Sequence, residues 1–179
     1  MARIDIDEVG VLDAVLLRLR SQLALTDRTC RLIARPEDVP TIPAGGDYFV
    51  TVAPGPGTYV EEEQVPDVAA TQNDPARVSN ITETSTITVS AYTRIKTDST
   101  DHDDNLLRDA TRGLLPIKKA ILASLCGQDI ATEDGDTFLR EWMHAQSCSA
   151  PDLVSIPQSN ATYGRIAITF GIMWDWKLT

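Results

Sequence analysis

Four consecutive residues, Asp101-His102-Asp103-Asp104, supply the oxygen and imidazole donors that a divalent cation takes. Successive side chains on a helical turn point about 100° apart, so the four do not converge on one ion, and distant ligands would have to close the shell. The alternative is the acidic, capped start of a helix: Thr97-Asp98-Ser99-Thr100-Asp101 offers N-cap residues, and Asp103 and Asp104 set negative charge in a first turn. His144 and Cys148, four apart, would share a helix face as a base and a nucleophile do. No nucleophile elbow or oxyanion loop accompanies them, and the pair reads as structural and partly buried. Pro54-Gly55-Pro56-Gly57 lacks the helix start and the Lys of a phosphate loop, and Glu61-Glu62-Glu63 beside it would repel phosphate. That tetrapeptide reads as a turn. Trp174 and Trp176 could form an aromatic platform, but they sit in an alternating apolar run and read as core or subunit contact. No catalytic constellation remains, and no enzyme activity, metal or cofactor is expected.

The charge distribution is more informative than these motifs. The chain has 179 residues and a formal charge of -10, and residues 36–75 hold eight acids (Glu37, Asp38, Asp47, Glu61, Glu62, Glu63, Asp67, Asp74) without one Lys or Arg. Binding a phosphate backbone by counterion release needs bases at the contact, so specific nucleic-acid binding is not expected. A surface past which nucleic acid slides without adhering is compatible with the same charge. No apolar run of about 18 residues exists, and the opening residues lack the basic and apolar regions of a signal peptide, so a non-exported chain without a membrane span is expected. Cys30, Cys126 and Cys148 form no CxxC pair and are expected to be reduced and mostly buried.

The elements that position these residues follow from periodicity. Val9, Leu12, Val15, Leu16, Leu19 and Leu23 recur at three- and four-residue steps and predict a helix over about 7–25, with acids at its start and Arg18 and Arg20 toward its end. Alternation from Cys30 to Arg35, closed by Pro36, predicts a short strand. A second strand is expected over 48–52, with 58–60 able to return as a hairpin arm. Seven of the ten prolines fall in 36–75, which is therefore expected to be mainly an extended acidic arm ordered against a partner. Residues 81–96 predict a strand with Ile87, Val89 and Ala91 on one face and a Thr-rich opposite face, suited to solvent or to a polar subunit contact. A second helix is expected over 103–125, kinked near 112–116 by Gly113 and Pro116 and ended by Gly127. Phe138, Trp142 and Ala145 suggest a short helix, and 166–176 alternates as the most regular strand, expected at the centre of the sheet or beside 81–96. The fold expected is a single α+β domain over 1–179, with an antiparallel or mixed sheet of about 4–5 strands and two main amphipathic helices on one face.

This pattern resembles the tail terminators and related tail-completion or neck proteins of tailed bacteriophages. The resemblance rests on the leading helix 9–23, the strand 30–35 closed by Pro36, the Thr-rich strand 81–96 running into the helix 103–125, and the closing strand 166–176. It implies a structural virion protein that forms a ring, typically a hexamer, at the head-proximal end of the tail tube. Its implied partners are further copies of itself, the tail tube protein and a head-closure or connector protein, with DNA passing through the lumen. The implied locations are the tail neck of the virion and, during assembly, the host cytoplasm. Glu61, Glu62, Glu63, Asp67 and Asp74 are then candidates for a lumen or intersubunit surface. Other neck or minor tail components of head-closure or adaptor type, a metal-dependent hydrolase built on 101–104 and His144, and an adaptor domain without a virion role are the competing classes.

Overall fold

A computed structural model describes residues 8–38, 48–62, 80–95, 106–110, 113–131, 139–156 and 161–177. The first element is α1 (Glu8–Leu23), which buries Val11, Leu12, Val15, Leu16 and Leu19 on one stripe and carries Glu8 in its first turn and Arg20 in its last. It stops where Ala24 turns into the left-handed region at φ 52° and the Leu25 N–H donates to the Arg20 carbonyl at 2.9 Å, a Schellman closure.

Six strands follow in one mixed sheet: β1 (Cys30–Leu32), β2 (Tyr48–Glu62), β3 (Asn80–Arg94), β4 (Leu139–Cys148), β5 (Asp152–Ile156) and β6 (Ala161–Lys177). The spatial order is β1-β2-β3-β6-β4, with β5 on the same side of β6 as β4. Among the described residues only β1 runs parallel to its neighbour, and the other pairs are antiparallel. The closing strand lies at the centre of the sheet beside β3, as its apolar alternation predicts. The two are registered residue for residue from Asn80↔Lys177 to Arg94↔Tyr163.

The second helix, α2 (Leu114–Leu125), is shorter than expected. Residues 106–108 are helical, the path breaks, and Gly113 restarts it as an N-cap with extended backbone at φ -65° and ψ 144°. The break is sharper than a kink for two reasons. Pro116 falls in the first turn of α2, where its missing N–H has no helical partner to lose. A Cβ on Gly113 would lie 2.7 Å from the Asp109 backbone, an approach open only to glycine. At the far end Gly127, at φ 64°, ends α2 and donates its N–H to the Met143 carbonyl at 3.1 Å.

Both helices pack on one face of the sheet. Leu114, Ile117, Ile121 and Leu125 of α2 join the α1 stripe against Val50 and Val52 of β2, Ile87, Val89 and Ala91 of β3, and Ile166, Ile168, Phe170, Ile172 and Trp174 of β6. Full burial of each such side chain contributes about 1.5–3 kcal/mol. Arg18 ties the two helices together, donating to the Ser124 carbonyl at 3.2 Å and to Gln128 Oε1 at 3.0 Å. Arg20 donates twice to the Cys30 carbonyl, at 3.2 and 2.9 Å, fixing the end of α1 to β1. On the opposite face Phe49, Tyr92, Ile156 and Tyr163 form a smaller cluster. Phe49 stacks on Tyr92 with centroids 4.4 Å apart and meets Tyr163 edge-on at 5.7 Å.

Three expectations are corrected. The segment around Trp142 and Ala145 is a strand, β4, and not a helix. Its pairing with β6 slips at three places within ten residues, so its sequence shows no period of two. Pro54-Gly55-Pro56-Gly57 is not a turn, because β2 runs through it as one strand with a bulge, and residues 58–60 continue that strand without returning as a hairpin arm. The Val50 N–H donates outward to Thr29, so the same alternation turns the nitrogen of Pro54 toward the outer edge, where no bond to β3 is lost. Ser85 Oγ and Thr86 Oγ1 donate to the carbonyls of Gly55 and Pro56, at 3.5 and 3.4 Å, and hold the bulge. The region expected as an acidic arm therefore has β2 in its middle, while 39–47 and 63–79 lie outside the described residues.

Candidate functional site

The distal halves of β2 and β3 and the end of β6 bring Glu61 and Glu62, two of the five acidic candidates, to one end of the sheet. Glu61 and Glu62 close β2 opposite Ile81 and Asn80, and Asn80 in turn faces Lys177 of β6. Glu63, Asp67 and Asp74 lie outside the described residues. The sheet register adds a residue that local reading missed. Glu83 stands between Tyr59 of β2 and Trp174 of β6, and it is 2 % exposed. Its Oε1 would lie 2.7 Å from a Cβ on Gly57, so the carboxyl group occupies the space that glycine leaves. Tyr59 is 63 % exposed. Its phenol is pushed above the usual range first by the charge of Glu83, then by slight desolvation and by the charge of Glu8 at the start of α1. That shift marks a negative potential at the strand end. The only signal for the Tyr59–Glu83 pairing is strand register, since the two residues are 24 apart in sequence.

The other chemical candidates do not assemble. His144 and Cys148 are on β4, opposite Gly171 and Ile168, three residues apart on β6, and are separated by about 10 Å along the strand. Both are exposed, not partly buried as expected, and of the three cysteines expected to be mostly buried only Cys30 is buried. Their expected helical pairing as neighbours on one face is thus replaced by wide separation on an edge strand. Asp101 to Asp104 lie outside the described residues. Among the described residues no group of three or more His, Cys, Asp or Glu side chains is placed to hold a metal ion. Trp174 is buried in the main core, in agreement with its structural reading.

Two polar groups at the opposite end of the sheet, the buried Cys30 thiol and the partly exposed Arg165, have structural explanations. Burial pushes the Cys30 thiol up from 9.0 to about 11, against the lowering effect of Arg20, so its nucleophilic thiolate is suppressed. Arg165 holds Asp152 through two bonds, at 3.1 and 2.7 Å, joining β6 to β5 beside the Phe49–Tyr92 stack. No helix of the described residues is long and apolar enough to cross a membrane.

No family model and no curated protein matches the chain. Among solved structures, it is similar to a chain of the virion of a native gene transfer agent particle. That similarity has 16% sequence identity and a TM-score of 0.38, and covers 93% of this chain and 96% of the other.

Proposed function

We propose that this chain is a structural protein of a phage-like virion, with a role like that of a tail terminator. It would form a ring, typically a hexamer, at the head-proximal end of the tail tube and join the tube to the head connector. The observation that carries this reading is architectural. A leading helix, a short strand, a long Thr-rich strand, a second helix and a long closing strand occur in the order on which the resemblance rests, with both helices on one face. The placement of Glu61 and Glu62 at one sheet end supports a second element of the reading, in which the acidic segment faces a lumen or a neighbouring subunit. A negative wall there would let DNA pass without adhesion, because phosphate finds no bases to replace its counterions. The other partners in this proposal are the tail tube protein and a head-closure or connector protein.

Immunogold electron microscopy of particles from the source lysate, with antibody against this chain, tests the proposal. Label at the head–tail junction is expected. Label confined to another part of the particle would overturn the terminator role, and particles without label would overturn the virion role. In the same particles, replacing Glu61, Glu62 and Glu63 with Gln is expected to alter tail assembly or DNA passage. Unchanged infectivity and tail length would remove the lumen or intersubunit assignment.

A further inference from the structure

Among the described residues, the outer edge of β2 is covered over only part of its length. β1 pairs with Val50, Thr51 and Val52, and the Ile33 N–H adds one bond to the Val52 carbonyl at 2.9 Å. Among the described residues, no strand pairs with that edge beyond this point. Backbone direction along the edge follows from the register. Val50 donates outward to Thr29 and Val52 accepts outward from Ile33, so even-numbered residues in this half of β2 point away from β3. The bulge between Pro54 and Gly57 shifts the register by one residue and reverses this alternation. Gly57, Tyr59 and Glu61 therefore turn their backbone groups outward, while Thr58, Val60 and Glu62 pair with Thr84, Thr82 and Asn80. Pro54 and Pro56 break the edge upstream, which limits the open stretch to 57–61. Gly57, Thr58 and Tyr59 are exposed.

We propose that this open edge of β2 takes an extended, basic segment of another polypeptide as an added strand. Three outward-facing residues provide the main-chain bonds, and side-chain charge selects the partner. Residues 36–75 contain no Lys or Arg, Glu61 and Glu62 lie on the edge strand itself, and the Glu83 and Glu8 charges act on Tyr59. A Lys- or Arg-bearing strand is drawn to this edge, whereas the same edge of a second copy is repelled. Strand geometry and charge carry this proposal independently of the virion reading.

Hydrogen exchange by NMR on the full chain tests it, with a ten-residue peptide of alternating Lys and Thr as probe and an alternating Glu and Thr peptide as control. In the free protein the amides of Tyr59 and Glu61 are expected to exchange about 100-fold faster than those of Thr58 and Val60. The Lys peptide is expected to slow them about tenfold and the Glu peptide to leave them unchanged. Tyr59→Pro removes an outward donor without touching a bond to β3, and is expected to abolish the protection of Glu61. The double variant Glu61→Lys, Glu62→Lys is expected to reverse the preference between the peptides. Slow exchange in the free protein would overturn the proposal by showing the edge already covered. Equal protection by both peptides, or none by either, would overturn it too. Peptide protection together with unlabelled particles would remove the virion reading alone.

Discussion

The same three strands, β2, β3 and β6, serve opposite purposes at their two ends. Around Phe49–Val52, Val89–Tyr92 and Tyr163–Ile168 they are clad on both faces, by the helices on one side and the aromatic cluster on the other. Around Tyr59, Glu83 and Glu61 the sequence changes to threonine, acids and an exposed aromatic ring. Main-chain pairing continues across this change, and on β6 Trp174, opposite Glu83, still joins this end to the main core. The difference shows how a sheet can present a charged end while most of its buried side chains lie elsewhere.

The largest test of that division is truncation at matched positions. Phe170→Ala, in the fully buried core, is expected to cost about 3–5 kcal/mol in urea unfolding, whereas Tyr59→Ala at the exposed end is expected to cost less than about 1 kcal/mol. Equal losses would erase the comparison. A pH test follows from Cys30. Its folded pKa lies above its unfolded value, so the contribution is fully present below about pH 9 and is lost as pH rises toward about 11. A decline of up to about 2–3 kcal/mol across that window is expected, and Cys30→Ala should flatten it.

Smaller effects sharpen the view of the second cluster. A double-mutant cycle between Phe49→Leu and Tyr92→Leu is expected to give a coupling of about 0.5–1.5 kcal/mol, and zero coupling would reduce the stack to simple area burial. Asp152→Asn, which weakens the pair with the partly exposed Arg165, is expected to cost less than about 1 kcal/mol. Thermal melts at low and high salt check the electrostatic share, which should shrink in high salt.

How much of this was readable depended on whether local order survived folding. Regular alternation in Ile166, Ile168, Phe170, Ile172 and Trp174 announced β6 and its central position, and three- and four-residue spacing announced α1. Three bulges removed any period of two from β4, leaving the spacing of Phe138, Trp142 and Ala145 to imitate a helix. The Pro-Gly repeat looked like a turn because its tolerance depends on which way Pro54 points in the sheet and on hydroxyl groups from Ser85 and Thr86, some 30 residues away. At the candidate site, Glu61 and Glu62 stood out as part of a run of acids. Glu83 did not, because it gains meaning only from its cross-strand neighbours Tyr59 and Trp174.

The central position of β6 has a consequence for the order of events during synthesis. All three strands that flank it, β3, β4 and β5, precede it in the chain and emerge from the ribosome first. Until β6 arrives, β3 lacks one full partner and the two helices lack the row of side chains from Ile166 to Trp174 that completes the core beneath them. Completion of the core thus waits for β6, with long-range pairing setting its pace. A nascent chain arrested before residue 161 would be left with exposed strand edges, a natural substrate for chaperones and proteases.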